Sequence, residues 1–378
     1  MALEAGDVAR YANLTPGDPA PWFQQRTSAN PRFAFDSAAG RYLVLCFFAS
    51  AADSHARAAI DAALERPDLF DDQKASFFGV SLDPADETEK RIADRYPGFR
   101  FFWDFDGRAS RAYGAIPLEG AERLAAARRW VVVDPMLRVI AVIPFGADRC
   151  DIAQALRLLE SLPPPSVFCG VPLSPPVLLL PNVFEPEFCR ALVELYESHG
   201  GEDSGFMREV DGRTVGLVDY RHKRRRDYLI DDPQIIERAK ALVHRRLAPE
   251  ILKAHQFRAT RIERFIVACY DAAEEAHFKP HRDNTTSGTA HRRFAVSINL
   301  NDDFEGGEVY FPEYGEQTKF RPPAGGALVF SCSILHAVAP MRRGKRYAFL
   351  PFLYDEEAAK LREANNARLG EGIGAYRA

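Results

Sequence analysis

From Tyr42 to Phe48 the chain reads Tyr-Leu-Val-Leu-Cys-Phe-Phe without a polar interruption. A short unbroken apolar run suits a strand buried on both faces. Phe77 to Leu82 reads as a second such strand. Between them, Ser54 can cap an Ala-rich helix that runs to Glu65. Glu87 to Tyr96 reads as another helix. Trp130–Val133 and Leu137–Ile143 flank an Asp134-Pro135 turn and predict a hairpin. Asp151 to Leu162 carries apolar residues at helical spacing. Strands alternating with helices, then a hairpin and a closing helix, predict a compact α/β domain over residues 1–161.

Prolines then crowd the chain, from Pro163-Pro164-Pro165 through Pro172, Pro175-Pro176 and Pro181. Proline fixes φ and lacks a donor, so neither a helix nor a central strand should cross this stretch. Residues 162–176 read as a linker. Beyond it, Glu185–His199 and Gln234–Leu247 have helical periodicity. From Ile262 the pattern shifts to short strands: Ile262–Tyr270, Arg293–Leu300, Glu308–Phe311, Gly326–Ser331 and Arg346–Leu353. Glu305-Gly306-Gly307 and Pro323-Ala324-Gly325-Gly326 supply turns between them. Short strands in close succession predict a sandwich or jelly roll in a second domain, residues 177–378. Glu356 to Ala378 is polar and reads as a helix fraying into a tail.

Composition narrows the function classes. The apolar fraction of 47% and charged fraction of 27% are those of a globular protein. A formal net charge of -4 gives no global basic footprint, which argues against nucleic acid as a partner. No apolar run reaches membrane-span length, and no basic, then apolar, leader opens the chain. The six cysteines, Cys46, Cys150, Cys169, Cys189, Cys269 and Cys332, are scattered without metal-type spacing. This favours reduced thiols and a cytoplasmic setting.

The chemistry concentrates in the second domain. His281 and Asp283 are two residues apart, so one extended strand can aim an imidazole and a carboxylate at the same point. His336, from a later strand, would complete a 2-His-1-carboxylate face, the ligand set of non-haem Fe(II) oxygenases. Arg346 follows ten residues later and could clamp a carboxylate. Lys345 competes for that role, but strand alternation lets only one of the pair face inward. His277 and His281 are spaced as in helical zinc proteases, yet Pro280 lies between them and no Glu follows the first His, which disfavours that reading. His291 reads as a loop residue. The basic run Arg221-His-Lys-Arg-Arg-Arg226 reads as a solvated loop or as an active-site rim that attracts an acidic substrate or co-substrate.

Several stretches together carry a resemblance over roughly residues 177–355. They are Phe265-Ile-Val-Ala-Cys-Tyr270, Pro280-His-Arg-Asp283, Gly306-Gly-Glu-Val-Tyr-Phe311, Gly325-Gly-Ala-Leu-Val-Phe330, His336-Ala-Val-Ala-Pro340 and Gly344-Lys-Arg-Tyr347. The second domain resembles the Fe(II)/2-oxoglutarate dioxygenases, most closely their prolyl-hydroxylase-type branch, with a double-stranded β-helix and flanking helices. The resemblance implies His281, Asp283 and His336 as iron ligands and Arg346 on the distal carboxylate of 2-oxoglutarate. It implies Tyr270 as a hydrogen-bonding helper and Asn299 as a further co-substrate contact. The co-substrates would be 2-oxoglutarate and O2, with ascorbate as a candidate reductant. Halogenating relatives lack the carboxylate, so Asp283 favours hydroxylation or desaturation. The implied substrate is a prolyl residue of a protein or peptide, or a small amino-acid-like metabolite. Loops such as Asn284–Ala290 and the 200–226 region would choose between them.

The first domain resembles a peroxiredoxin or related thioredoxin-fold domain. The carrying pieces are Gly17-Asp-Pro-Ala-Pro-Trp-Phe23, the Tyr42–Phe48 strand, Phe102-Trp-Asp-Phe-Asp-Gly107, Ala112-Tyr-Gly114 and Arg129-Trp-Val-Val-Val-Asp-Pro135. Peroxiredoxins need a low-pKa cysteine in the loop after that strand. Here Ala49-Ser-Ala-Ala-Asp-Ser-His55-Ala-Arg57 holds none, and Cys46 falls inside the apolar strand. The expectation is a redox-inactive scaffold, homodimerisation unit or substrate-docking module, with Asp53 and His55 as solvated cap residues. A thiol redox protein and a non-catalytic binding protein remain the rivals to an oxygenase.

Overall fold

The mixed sheet of the N-terminal half is built outward from its most apolar strand. In the computed structural model, residues 9–119, 126–315 and 318–376 are described. The chain divides into two units, Met1–Leu173 with Pro312–Gly315, and Ser174–Phe311 with Glu316–Ala378. In the first unit the strand order is Phe99–Trp103, Ala75–Ser81, Tyr42–Ala49, Arg129–Val133, Val139–Pro144. The first two pairings are parallel and the last two antiparallel. Tyr42–Ala49 lies at the centre and is buried along nearly its whole length. Helices Ser54–Leu64 and Cys150–Ser161 bury Ile60, Ala63, Ala155 and Leu159 in the same core as Phe77 and Trp130. This is a thioredoxin-like α/β arrangement.

Two local expectations fail here. The first helix is capped by Asp53, whose carboxylate accepts from the amides of His55 and Ala56; Ser54 is its first residue. The expected helix Glu87–Tyr96 is only Pro84–Thr88. Asp83 caps it and Lys90, at φ 54°, ends it. The charged stretch that follows has no apolar stripe to bury, so nothing offsets the cost of extending the helix. Within the expected linker, Pro165–Val167 form a short 3-10 turn.

The second unit is built on two main antiparallel sheets. The larger runs Arg261–Glu263, Phe352–Tyr354, Phe294–Asn299, Lys345–Phe349, Ile266–Asp271, Arg226–Leu229, Glu202–Asp203; Ala327–Ser331 also pairs with Phe294–Asn299. The smaller runs Lys223–Arg224, His277–His281, His336–Val338, Val309–Tyr310, Lys319–Phe320. Helices Pro186–His199, Pro233–Arg246 and Ala248–His255 pack Leu192, Val243 and Ile251 against Val267, Val296 and Phe349 of the larger sheet. This is the jelly-roll class with flanking helices. No helix among the described residues is long and apolar enough to cross a membrane.

Sequence periodicity misplaced several details in this unit. The strand expected over Ile262–Tyr270 breaks at Arg264, whose φ is 70°. The one expected over Arg346–Leu353 breaks at Leu350-Pro351, where proline removes a ladder donor. The hairpin Phe206–Val210/Arg213–Leu217 was read as loop; Asp211 and Gly212 turn it, both at positive φ. The basic run is strand rather than loop over Lys223–Arg224 and Arg226–Leu229.

Candidate metal centre

The smaller sheet brings His281 and His336 opposite one another as a cross-strand pair. Their ring centroids are 4.2 Å apart. Asp283 is not on the His277–His281 strand, contrary to expectation; it falls in the turn just after it. The chain keeps its direction there because the Asp283 amide donates to the Cys332 carbonyl at 3.0 Å. A register shift between Phe278 and His281 turns both side chains into one cavity, where strict alternation would have opposed them. Their rings stack at 3.4 Å.

The three side chains form one donor set. Ligand atoms of His281, Asp283 and His336 all lie within 4.8 Å of one another. Asp283 stands 3.7 Å from His281 Nε2 and 3.3 Å from His336 Nε2. His281 Nδ1 lies 2.8 Å from the Lys279 carbonyl, and His336 Nδ1 lies 3.0 Å from that of Ile334. A carbonyl only accepts, so each Nδ1 carries a proton, and each Nε2 is the nitrogen turned to the centre. Burial, and His336 beside it, push His281 well below the ordinary imidazole range, which keeps it neutral. Burial alone would raise the Asp283 carboxyl, but the flanking imidazoles outweigh it and hold the group below the usual carboxylate range. Two lone pairs and a carboxylate converging on one point suit a divalent transition ion and leave coordination positions open.

The larger sheet supplies a cation on the opposite wall of the cavity. Arg346 is buried at 2% exposure, and among the described residues no carboxylate pairs with it. Its Nε donates to Asn299 Oδ1 at 2.9 Å and its Nη2 to Ser297 Oγ at 2.7 Å. It lies 5.4 Å from the ring centroid of Tyr270, its cross-strand partner. Its neighbour Lys345 is exposed and pairs with Glu197.

Asn299 requires a correction. Its Oδ1 holds Arg346, its Nδ2 donates to the Pro322 carbonyl at 2.6 Å, and it does not line the cavity. It holds the arginine from outside the cavity lining. Tyr270 does line the cavity, and its hydroxyl accepts from Arg225 Nη1 at 3.3 Å.

Sequence reasoning missed Arg264, Ser297 and Phe278 on the wall, and named Lys223 and Arg225 only within a basic run that could rim the site. Arg225 is paired with Asp227 through two hydrogen bonds. Lys223 donates to Ser204 Oγ at 2.7 Å and lies over the Phe278 ring. The basic run therefore alternates. Lys223 and Arg225 are buried, while Arg224 and Arg226 face outward to Glu274. A period of two within that run was the available signal. His291, expected in a loop, is buried against Glu263, away from the metal ligands. His55 is not a solvated cap residue either; it is buried, with Nε2 3.0 Å from Asp151, which also accepts from Trp130.

Residues 265–354, which contain all of these candidate ligands and Arg346, match the family model described as the 2OG-Fe(II) oxygenase superfamily. Residues 16–142 match the AhpC/TSA family. The two family models thus match separate parts of the chain. The oxygenase family implies Fe(II) and 2-oxoglutarate. Among curated proteins, the chain is similar to a PKHD-type hydroxylase of Synechococcus sp., 27% identical over 93 residues, or 23% of this chain and 41% of that protein. A PKHD-type hydroxylase of Maricaulis maris is 30% identical over 93 residues, covering 24% and 42%. The chain thus spans about two fifths of the length of these relatives. Among solved structures, a Pseudomonas putida prolyl-4-hydroxylase aligns over 48% of this chain and 94% of its own, at 18% identity and a TM-score of 0.38. Peroxidoxin BcpB from Mycobacterium tuberculosis aligns over 40% and 99%, at 19% identity and a TM-score of 0.35.

Proposed function

We propose that the second unit is an Fe(II)- and 2-oxoglutarate-dependent hydroxylase. It would act on a prolyl residue of a protein or peptide, or on a small amino-acid-like metabolite, and release succinate and CO2. The observation that carries this reading is the convergence of His281, Asp283 and His336 in one cavity with a buried arginine that has no carboxylate partner among the described residues. In this reading the two imidazoles and Asp283 hold Fe(II). Arg346, fixed by Asn299 and Ser297, binds the distal carboxylate of 2-oxoglutarate through donors left free by those two contacts. The Tyr270 hydroxyl accepts from Arg225 and so has its own proton to donate to the same carboxylate. The bound metal supplies the oxidising chemistry; the protein supplies binding, orientation and exclusion of water. Phe278, Val338 and Phe352 line the cavity and keep water from the reacting centre.

The first unit, in this proposal, is not a peroxidase. Cys46 is fully buried and its thiol is pushed well up by burial. The exposed Cys150 is also raised, by its hydrogen bond with Asp148. A role in homodimerisation or substrate docking fits a unit with no cysteine in the loop after its central strand.

The test is 2-oxoglutarate-dependent O2 uptake and succinate formation with Fe(II) and ascorbate across prolyl peptides and free amino acids. Succinate from the parent and none from Asp283→Ala supports the reading. Equal traces from both would contradict it.

A further inference from the structure

Arg264 is a cation without a counter-ion on the wall of the metal-site cavity. Among the described residues no carboxylate lies within salt-bridge distance of its guanidinium. The neighbouring acids are engaged elsewhere: Asp227 holds Arg225, and Glu263 holds Arg292. Arg264 has only the Leu350 carbonyl, which accepts from Nε and Nη2 at 3.1 Å each, and the face of Phe352 at 4.5 Å. Its side chain is partly exposed, so solutes can reach it.

The backbone is bent to place it. Arg264 has φ 70°, a left-handed conformation that costs a non-glycine residue on the order of 1 kcal/mol or more and breaks the strand between Arg261–Glu263 and Ile266–Asp271. Such an outlier persists when its surroundings impose it, and a side chain aimed at an active site is a common reason.

Charge bookkeeping within the cavity gives Arg264 a task, on the proposed reading of the metal site. Fe(II), Asp283, dianionic 2-oxoglutarate and Arg346 together are neutral, and Arg225 is neutralised by Asp227. Lys223 donates to Ser204 Oγ and to the Gly205 carbonyl. Arg264, lowered to about 10 by burial, stays charged at neutral pH. Its charge is left without an acidic partner among the described residues. Its guanidinium is anchored on the Leu350 carbonyl, four residues along the chain from Arg346 and just past the end of that strand.

We propose that Arg264 forms a second anion subsite that takes a carboxylate of the substrate to be hydroxylated. That carboxylate belongs to a free amino-acid-like acid or to an acidic residue of a peptide.

The test is anaerobic calorimetry on the full chain loaded with Fe(II) and 2-oxoglutarate, with the charge-transfer band recorded on the same samples. One probe pair is L-proline and L-prolinamide; the other is a blocked Pro-Glu peptide and its Pro-Gln isostere. The proposal expects at least one acid to bind tenfold or more tightly than its neutral partner, and the pair that does so identifies the source of the carboxylate. Arg264→Gln should erase the difference and Arg264→Lys should retain part of it, which separates loss of charge from loss of fold. A preference that survives Arg264→Gln overturns the subsite, and so does a parent that shows the band but favours neither acid. A parent without the band means that the metal-site reading has failed, and the subsite falls with it.

Discussion

Arg346 donates through Nε to Asn299 Oδ1 at 2.9 Å, and Asn299 in turn is held by the Pro322 carbonyl. The arginine is thus aimed by a residue that does not line the cavity. Asn299→Ala should raise the 2-oxoglutarate concentration needed for half-saturation by about tenfold or more. A hydrogen bond to a charged group is worth about 1.5–3 kcal/mol. Metal affinity should stay as in the parent. Steady-state kinetics over a 2-oxoglutarate series checks this; an unchanged KM would show that Asn299 does not position the clamp.

The donor set predicts a second outcome. Removing Asp283 takes away the anionic ligand and leaves two neutral imidazoles. Asp283→Ala should weaken Mn(II) or Co(II) binding by about a hundredfold or more, measured by calorimetry. His291→Ala, at a histidine buried away from this set, should leave metal affinity as it is. Equal losses in both variants would place the metal elsewhere.

The buried Arg225–Asp227 pair predicts acid sensitivity. Burial raises the Asp227 carboxyl, but Arg225 and Lys223 outweigh it and lower the group to about 2. A carboxylate depressed on folding stabilises the fold above its unfolded pKa, near 3.8, and loses that contribution as pH falls towards 2. The pair should therefore contribute on the order of 2 kcal/mol at pH 6 that is gone by about pH 2. Urea midpoints across this range check it. Asp227→Asn should flatten the slope and cost about 3–5 kcal/mol at pH 6, because Arg225 is left buried without its partner.

The first unit should not turn over peroxide. Cys46→Ala should leave any background consumption unchanged and cost about 1 kcal/mol in stability through the small cavity it opens. A peroxide-consumption assay with and without Cys46 decides this. Catalytic consumption that vanishes in Cys46→Ala would make the unit a thiol enzyme.

The parts of this architecture that were legible in the sequence are those where burial dictates residue type. Tyr42–Ala49 is apolar because both of its faces are covered, and the closing helix Cys150–Ser161 shows its buried stripe. His281, Asp283, His336 and Arg346 were legible as a spaced set. Their convergence depends on a register shift at Phe278/His281 and a bond from the Asp283 amide to Cys332, which spacing does not encode. Asn299 was misread because its strand passes the cavity, while its side chain is engaged by Arg346 and Pro322. Arg264 was invisible, since nothing local marks an arginine that adopts a left-handed backbone.

The most direct measurement is an anaerobic titration of the metal-free protein with Fe(II) and 2-oxoglutarate, following the visible metal-to-ligand charge-transfer band. The account predicts a band in the parent, none in His336→Ala, and in Arg346→Ala a band that needs far more 2-oxoglutarate. A correctly folded parent with no band, or a band indifferent to His336, would contradict it.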